Sequence, residues 1–209
     1  MNTTDQEPLS LQLRQSTAAA HTDAEGSDFI KKLFSGTCTE QEYYLYLWSL
    51  QAMYTVLENE LEKNKTDTVT ALVYFPELFR KESLITDLKE WANFKTDRPA
   101  TLQNAINLYT SHLQILGENN PELLVAHAYV RYMGDLSGGQ ILSKILNRRF
   151  TEAKGLNFYN YQIEDLKLMK ATYRNHLDQV PHNLSESICR EANSAFKMNS
   201  LIFQALSIA

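Results

Sequence analysis

"YMGDLSGGQIL", residues 132–142, places three of the chain's seven glycines within six positions of a run that otherwise reads as helix from Pro121 to about Phe150. Each interior glycine costs a helix about 1 kcal/mol relative to alanine, so the trio asks for roughly 3 kcal/mol of compensation. Gly134 and Gly138 stand one turn apart on one face, and Arg131 and Asp135 share that spacing on a neighbouring face. Three readings fit: close helix–helix contact through small residues, a kink at Gly138-Gly139, or a wall bared for a ligand. The charges favour the ligand, because arginine and aspartate beside a packing seam need water or polar partners when buried. A bent helix with exposed backbone admits a broad flat ligand, and Arg131 and Asp135 would then control polar chemistry at its surface.

Working outward, apolar residues recur with helical periodicity almost throughout the 209 residues. Helices are expected from about Leu9 to Ala24 and from Asp28 to Phe34, the latter capped by Ser27 and stopped at Gly36. A capping box of Thr39 and Glu42 starts a long helix that carries Tyr46, Leu50, Met53, Tyr54 and Leu57 along one side and ends near Lys63. Pro76 breaks the pattern. Further helices are expected over Ser83–Phe94, Pro99–Leu116, Ile163–Asp178 and Leu184–Leu206, while "VYF" at 73–75 suggests a short strand that makes no sheet alone. The expectation is an all-α single domain over 1–209, with its core at about 9–206 and a tail at 1–8.

Composition narrows the function. With 44% apolar residues the chain can bury one substantial core, and no run approaches the roughly 18 apolar residues of a membrane span. "MNTTDQEPLSLQLRQ" has neither the basic start nor the apolar centre of a secretion signal, so a cytoplasmic, membrane-free protein is expected. Cys38 and Cys189 fall in no CxxC pattern, which suits reduced thiols. The net charge of -5 argues against a nucleic-acid binder. From Arg131 to Arg174, eight Lys/Arg against four Asp/Glu give a local +4, leaving -9 elsewhere. That stretch is either a solvated surface or a docking site for an acidic partner.

In "RQSTAAAHTDAEG", residues 14–26, Thr17, His21 and Glu25 succeed one another at four-residue steps, with Arg14 two turns before the histidine. Either His21 is an ordinary surface histidine, or it holds a metal while Arg14, about 10 Å away, binds an anionic group. His112, His127, His176 and His182 show no metal-ligand spacing. Lys170 and Arg174 in "LMKATYRNHL" suit a carboxylate pair or a solvated face. Phe196, Asn199 and Phe203 read as a core stripe in which the Asn199 amide needs partners.

Taken together, "ELLVAHAYVRYMGDLSGGQIL", "STAAAHTDAE", "YFPELFRK", "KATYR" and "AFKMN" resemble the heme oxygenase family in order and spacing, over roughly residues 9–206. The resemblance implies an all-helical fold with heme between a proximal and a distal helix, and oxidative cleavage of heme to biliverdin, as the IX-alpha isomer, with release of Fe2+ and CO. It implies heme as substrate and cofactor, O2, and a route through ferric hydroperoxide and self-hydroxylation of the porphyrin. His21 would be the axial iron ligand, Glu25 its tuning neighbour, and Arg14, which stands where lysine is usual, would hold propionates with Tyr129, Lys170 and Arg174. Gly134, Gly138 and Gly139 would form the distal wall, and Phe196 and Phe203 would line the heme site. Asp135, aided by Arg131, Tyr54 and Asn199, would anchor water that delivers protons.

The resemblance further implies electrons from ferredoxin, flavodoxin or an NADPH-dependent reductase, a downstream biliverdin reductase, and a monomer. The ending "LIFQALSIA" carries no hydrophobic tail, which favours a soluble enzyme, and no Cys-Pro motif suggests thiolate sensing. Two other readings stay open at this level: a heme carrier on the same fold, and a thiaminase-like enzyme using Cys38 or Cys189, neither of which has a base nearby in sequence.

Overall fold

A computed structural model describes residues 7–150 and 155–208. The expected tail at 1–8 lies mostly outside the described residues, as do Glu152 and Lys154 of the basic stretch. Without those two, seven Lys/Arg against three Asp/Glu still give that stretch +4. Ten α-helices follow in order among the described residues: α1 Leu9–Ser16, α2 Ala18–Glu25, α3 Asp28–Ser35, α4 Glu40–Lys63, α5 Lys81–Glu90, α6 Ala100–Asn119, α7 Leu124–Ala128, α8 Gln140–Arg149, α9 Leu166–Leu177 and α10 Ser185–Ser207. No strand occurs among them; of the expected "VYF" strand, Val73 ends a 3-10 turn, Thr70–Val73, while Tyr74 and Phe75 are extended but pair with no other strand.

The capping box forms as read, with Thr39 and Glu42 satisfying each other's backbone, and α4 runs from it as a central column. It packs against α5 and α6, while α10 packs against α6, α7 and α1–α3 and thereby joins the N-terminal helices to the rest. Tyrosines fill much of the centre: Tyr43, Tyr54, Tyr109, Tyr132 and Tyr173 are fully buried. The N-terminus of α5 receives no cap from its own first residues. Glu58, one column away on α4, substitutes: its carboxylate accepts from the backbone N–H of Arg80 at 2.5 Å and of Lys81 at 3.0 Å. Asp87 on α5 in turn accepts from the N–H groups of Asn157 and Phe158, tying the segment after residue 155 to the body. Gly155 makes that return possible with φ +88, where a Cβ would collide with Trp91.

Two expectations change in ways that matter for the site. The first expected helix is interrupted at Thr17, whose φ of -100 and ψ of 0 leave helical values. Its hydroxyl donates to the Leu13 carbonyl at 2.7 Å, while His21 N–H still bonds the Thr17 carbonyl at 2.9 Å. The interruption is therefore a bend rather than a loop, at a threonine whose hydroxyl shares the Leu13 carbonyl with its own N–H. The long helix from Pro121 to Phe150 is also composite. It opens as a 3-10 turn, continues as α7, and passes through two π-helical turns, Tyr129–Met133 and Asp135–Gly139, before α8. The distortion expected at Gly138-Gly139 alone is spread over both π turns, which widen the helix where side chains must project inward.

Candidate active site

The bends of α1–α2 and of the π-helical segment face one cavity of about 840 Å³, within the range of small-molecule sites. Its walls are contributed by α1, α2, α3, the π turns, α9 and α10. Thr17, Ala18, His21 and Ala24 lie along one side, where the small residues of "STAAAHTDAE" leave the histidine ring free to project. The His21 side chain is 53% exposed, and its Nδ1 is 3.5 Å from a Glu25 carboxylate oxygen. Phe196 meets the imidazole edge-on at 5.8 Å between ring centres. Those contacts orient the ring and leave Nε2 for another partner.

The bent-helix wall contains Gly134 and Gly138, and a Cβ built on either would find nothing within 4 Å. That observation removes the helix–helix packing reading for these two, since a packing seam has a neighbour where the side chain is missing. Gly139 differs: its Cβ would sit 3.3 Å from the Tyr159 ring, so this position is occupied by close packing. Asp135, between the glycines, and Arg131, one turn before it, both line the cavity and are buried. Arg131 donates to an Asp135 oxygen at 3.2 Å and to the Asn199 side-chain Oδ1 at 3.1 Å. Tyr54, from α4, donates its hydroxyl to the other Asp135 oxygen. The Asn199 amide also donates to the Ala195 carbonyl at 2.8 Å, which answers how an amide is satisfied within an apolar stripe.

The electrostatics of this cluster are tense. Burial pushes the Asp135 carboxyl above the usual carboxylate range, against the opposing pull of the Arg131 guanidinium and the Tyr54 hydroxyl. Burial likewise holds the Tyr54 phenol well above its ordinary value, so it stays a donor. Among the described residues the buried Arg131 Nε has no hydrogen-bond partner. Two cationic groups, Arg14 and Lys170, also line the cavity, together with the neutral Tyr129 phenol.

Of the residues expected at the site, His21, Arg14, Glu25, Tyr129, Arg131, Gly134, Asp135, Gly138, Gly139, Lys170, Phe196, Asn199 and Phe203 all line this cavity. Tyr54 reaches it through Asp135. Arg174 departs from expectation: it is exposed and does not line the cavity, although its charge is felt at Tyr129. The one-turn spacing puts Lys170 and Arg174 near one another, but only the first residue of the pair points inward. Tyr46 and Tyr159 also line the cavity, and sequence reasoning does not single them out for it. Tyr46 belongs to the apolar side of α4, where its hydroxyl is the one available signal, whereas Tyr159 arrives from an irregular segment with no sequence signal. The remaining histidines show no metal-ligand spacing in sequence, yet folding brings His112 and His127 to one carboxylate, Glu191.

Comparison with known proteins gives a consistent result. The family model described as heme oxygenase matches residues 7–205. A heme oxygenase of Pyropia yezoensis is 38% identical, the match covering 95% of this chain and 86% of that protein. Heme oxygenase 2 of Mus musculus is 37% identical over 100% of this chain and 68% of its own length. Among solved structures, a heme oxygenase from Leptospira interrogans superposes with a TM-score of 0.87 at 38% identity, covering 95% of this chain and 99% of that one. Heme oxygenase-1 of the cyanobacterium Synechocystis, solved in complex with heme, gives a TM-score of 0.85 at 35% identity, over 94% and 91% of the two chains.

Proposed function

The chain belongs to the heme oxygenase family, whose enzymes degrade heme to biliverdin, and from that premise we propose how its own residues divide the work. The observation that carries the reading is the open space over Gly134 and Gly138 in the cavity that also holds His21. A flat aromatic ligand needs a slot of this kind: one side offering an imidazole nitrogen, the other bare backbone, and cations at an edge. Heme bound there supplies the iron that activates O2 and the porphyrin that is oxidised.

His21 would ligate the iron through Nε2, with the Glu25 carboxylate 3.5 Å from Nδ1 placed to favour a proton there, which would fix the tautomer and raise ligand basicity. Arg14, Lys170 and Tyr129 hold the propionates, while Arg174 acts from outside the cavity as a charge. Gly134 and Gly138 would leave room for O2 on the distal side, and the alpha isomer is the product proposed. Arg131 and Tyr54 together hold the Asp135 carboxylate still. Asp135, which lines the cavity, would accept from an ordered water and so give that water a fixed direction in which to pass protons.

Electrons come from an acidic donor, ferredoxin or flavodoxin, or from an NADPH-dependent reductase, docking on the exposed Lys144, Arg148, Lys167 and Arg174 of the +4 stretch. A biliverdin reductase would take the product. Among the described residues no helix is long and apolar enough to cross a membrane. A monomeric single domain over 1–209, working in the cytoplasm, completes the reading.

Gly138→Val separates a binding wall from a structural glycine. The new side chain meets no protein atom within 4 Å of its Cβ, so the melting temperature should hold or rise slightly as backbone freedom in the unfolded chain is lost. Hemin affinity should fall by about tenfold or more, equivalent to about 1.4 kcal/mol. An unchanged hemin titration would remove Gly138 from the wall.

A further inference from the structure

Away from the heme cavity, three helices converge on a second polar cluster. Glu191 on α10 accepts, through a single oxygen, from His112 Nε2 on α6 at 2.7 Å and from His127 Nε2 on α7 at 2.9 Å. The three ligand-type atoms lie within 4.8 Å of one another. We propose that His112, His127 and Glu191 form a binding site for a divalent transition metal of the zinc class.

The donor set is two imidazoles and a carboxylate, the combination zinc accepts when a fourth position stays open to water. Ligands about 2.0–2.1 Å from a tetrahedral ion stand about 3.3 Å apart, so the two contacts to Glu191 need to open by only about 0.5 Å and the two imidazole nitrogens, within 4.8 Å, are already in reach of a shared ion. The surroundings are also those of a metal ligand. His127 is fully buried, and its Nδ1 lies 3.1 Å from the Tyr109 hydroxyl, a fixed outer partner that aims Nε2 at the cluster. His112 is 29% exposed in its side chain and gives the ion a way in from solvent, while Glu191 is 12% exposed. Binding changes no oxidation state: the protons that the two Nε2 atoms share with Glu191 move to Nδ1 or leave to solvent, and the metal takes their place.

The cluster also touches the distal machinery at one remove. Tyr109 accepts from the Asn199 amide at 3.4 Å, and Asn199 accepts from Arg131. A metal at the cluster would therefore fasten α6, α7 and α10 together behind the residue that holds the distal arginine.

The test uses the full chain, stripped of metal by chelation and free of heme. Titration with Co2+ should give the visible bands of a tetrahedral ion, saturating at one equivalent, and calorimetry with Zn2+ should give the same stoichiometry. His112→Ala and Glu191→Gln should each weaken binding by more than about 100-fold, and Tyr109→Phe by about 10–100-fold. His21→Ala should leave it unchanged. Hemin titration checks that the His112, Glu191 and Tyr109 variants are folded, and thermal unfolding checks His21→Ala. Imidazole 15N shifts of the unaltered chain need no variant, and Zn2+ should move those of His112 and His127 but not His21. Lack of saturable binding, binding undiminished in either ligand variant, or binding and shifts that follow His21 would overturn the proposal.

Discussion

His21→Ala is expected to remove the axial-nitrogen spectrum of bound heme and to lower biliverdin formation by more than about 100-fold, beyond the 10–100-fold that loss of an outer partner of a metal ligand costs. Nothing else on the cavity wall can replace the ring. His112 and His127 are engaged with Glu191, and His176 Nδ1 bonds the Leu72 carbonyl at 3.0 Å. His182 starts a 3-10 turn ahead of α10 and does not line the cavity. Because His21 is half exposed and sits among alanines, its removal should leave the fold intact and open a space that free imidazole can enter. Activity should accordingly return with added imidazole. Full turnover without it would show that the iron is held elsewhere.

Asp135→Ala should act on the reaction and on stability separately. Heme affinity should change little, since Asp135 belongs to the bent-helix wall and His21 and the propionate partners are untouched. Biliverdin yield should fall by about 100-fold or more, the usual scale for losing a positioned proton donor or acceptor. Stability should drop by about 3–5 kcal/mol, because Arg131 would lose its carboxylate while staying buried. Asp135→Asn, which keeps the shape and one acceptor oxygen, should recover much of the stability but little of the yield. Urea denaturation and product chromatography on both variants distinguish the two effects. An unchanged yield in either variant would mean that the directing water has another anchor.

Much of the fold and of the cavity wall is legible in the amino-acid sequence, and the parts that are not share a cause. Helical periodicity, the Thr39–Glu42 box and the glycine trio are local signals, and the structure keeps them all. The bend at Thr17 is invisible to periodicity, which does not say which backbone acceptor a threonine hydroxyl will take. The π turns are hidden because a glycine pair reads equally as a kink. Lys170 and Arg174 share one helix, and only packing decides which of them reaches the cavity. His112, His127 and Glu191 are between 15 and 79 residues apart in sequence, and only the convergence of three helices makes them neighbours. Tyr54 and Asn199 lie far from Asp135 in sequence as well, yet the family resemblance joins them to it.

Catalysis is tested most directly by giving the purified chain one equivalent of hemin and a reductant in air and following the visible spectrum. A catalytic chain should show a Soret band that forms at one equivalent, then decays as biliverdin absorption appears and iron becomes available to a chelator. A Soret band that forms and persists unchanged would contradict heme degradation and leave a heme carrier on the same fold.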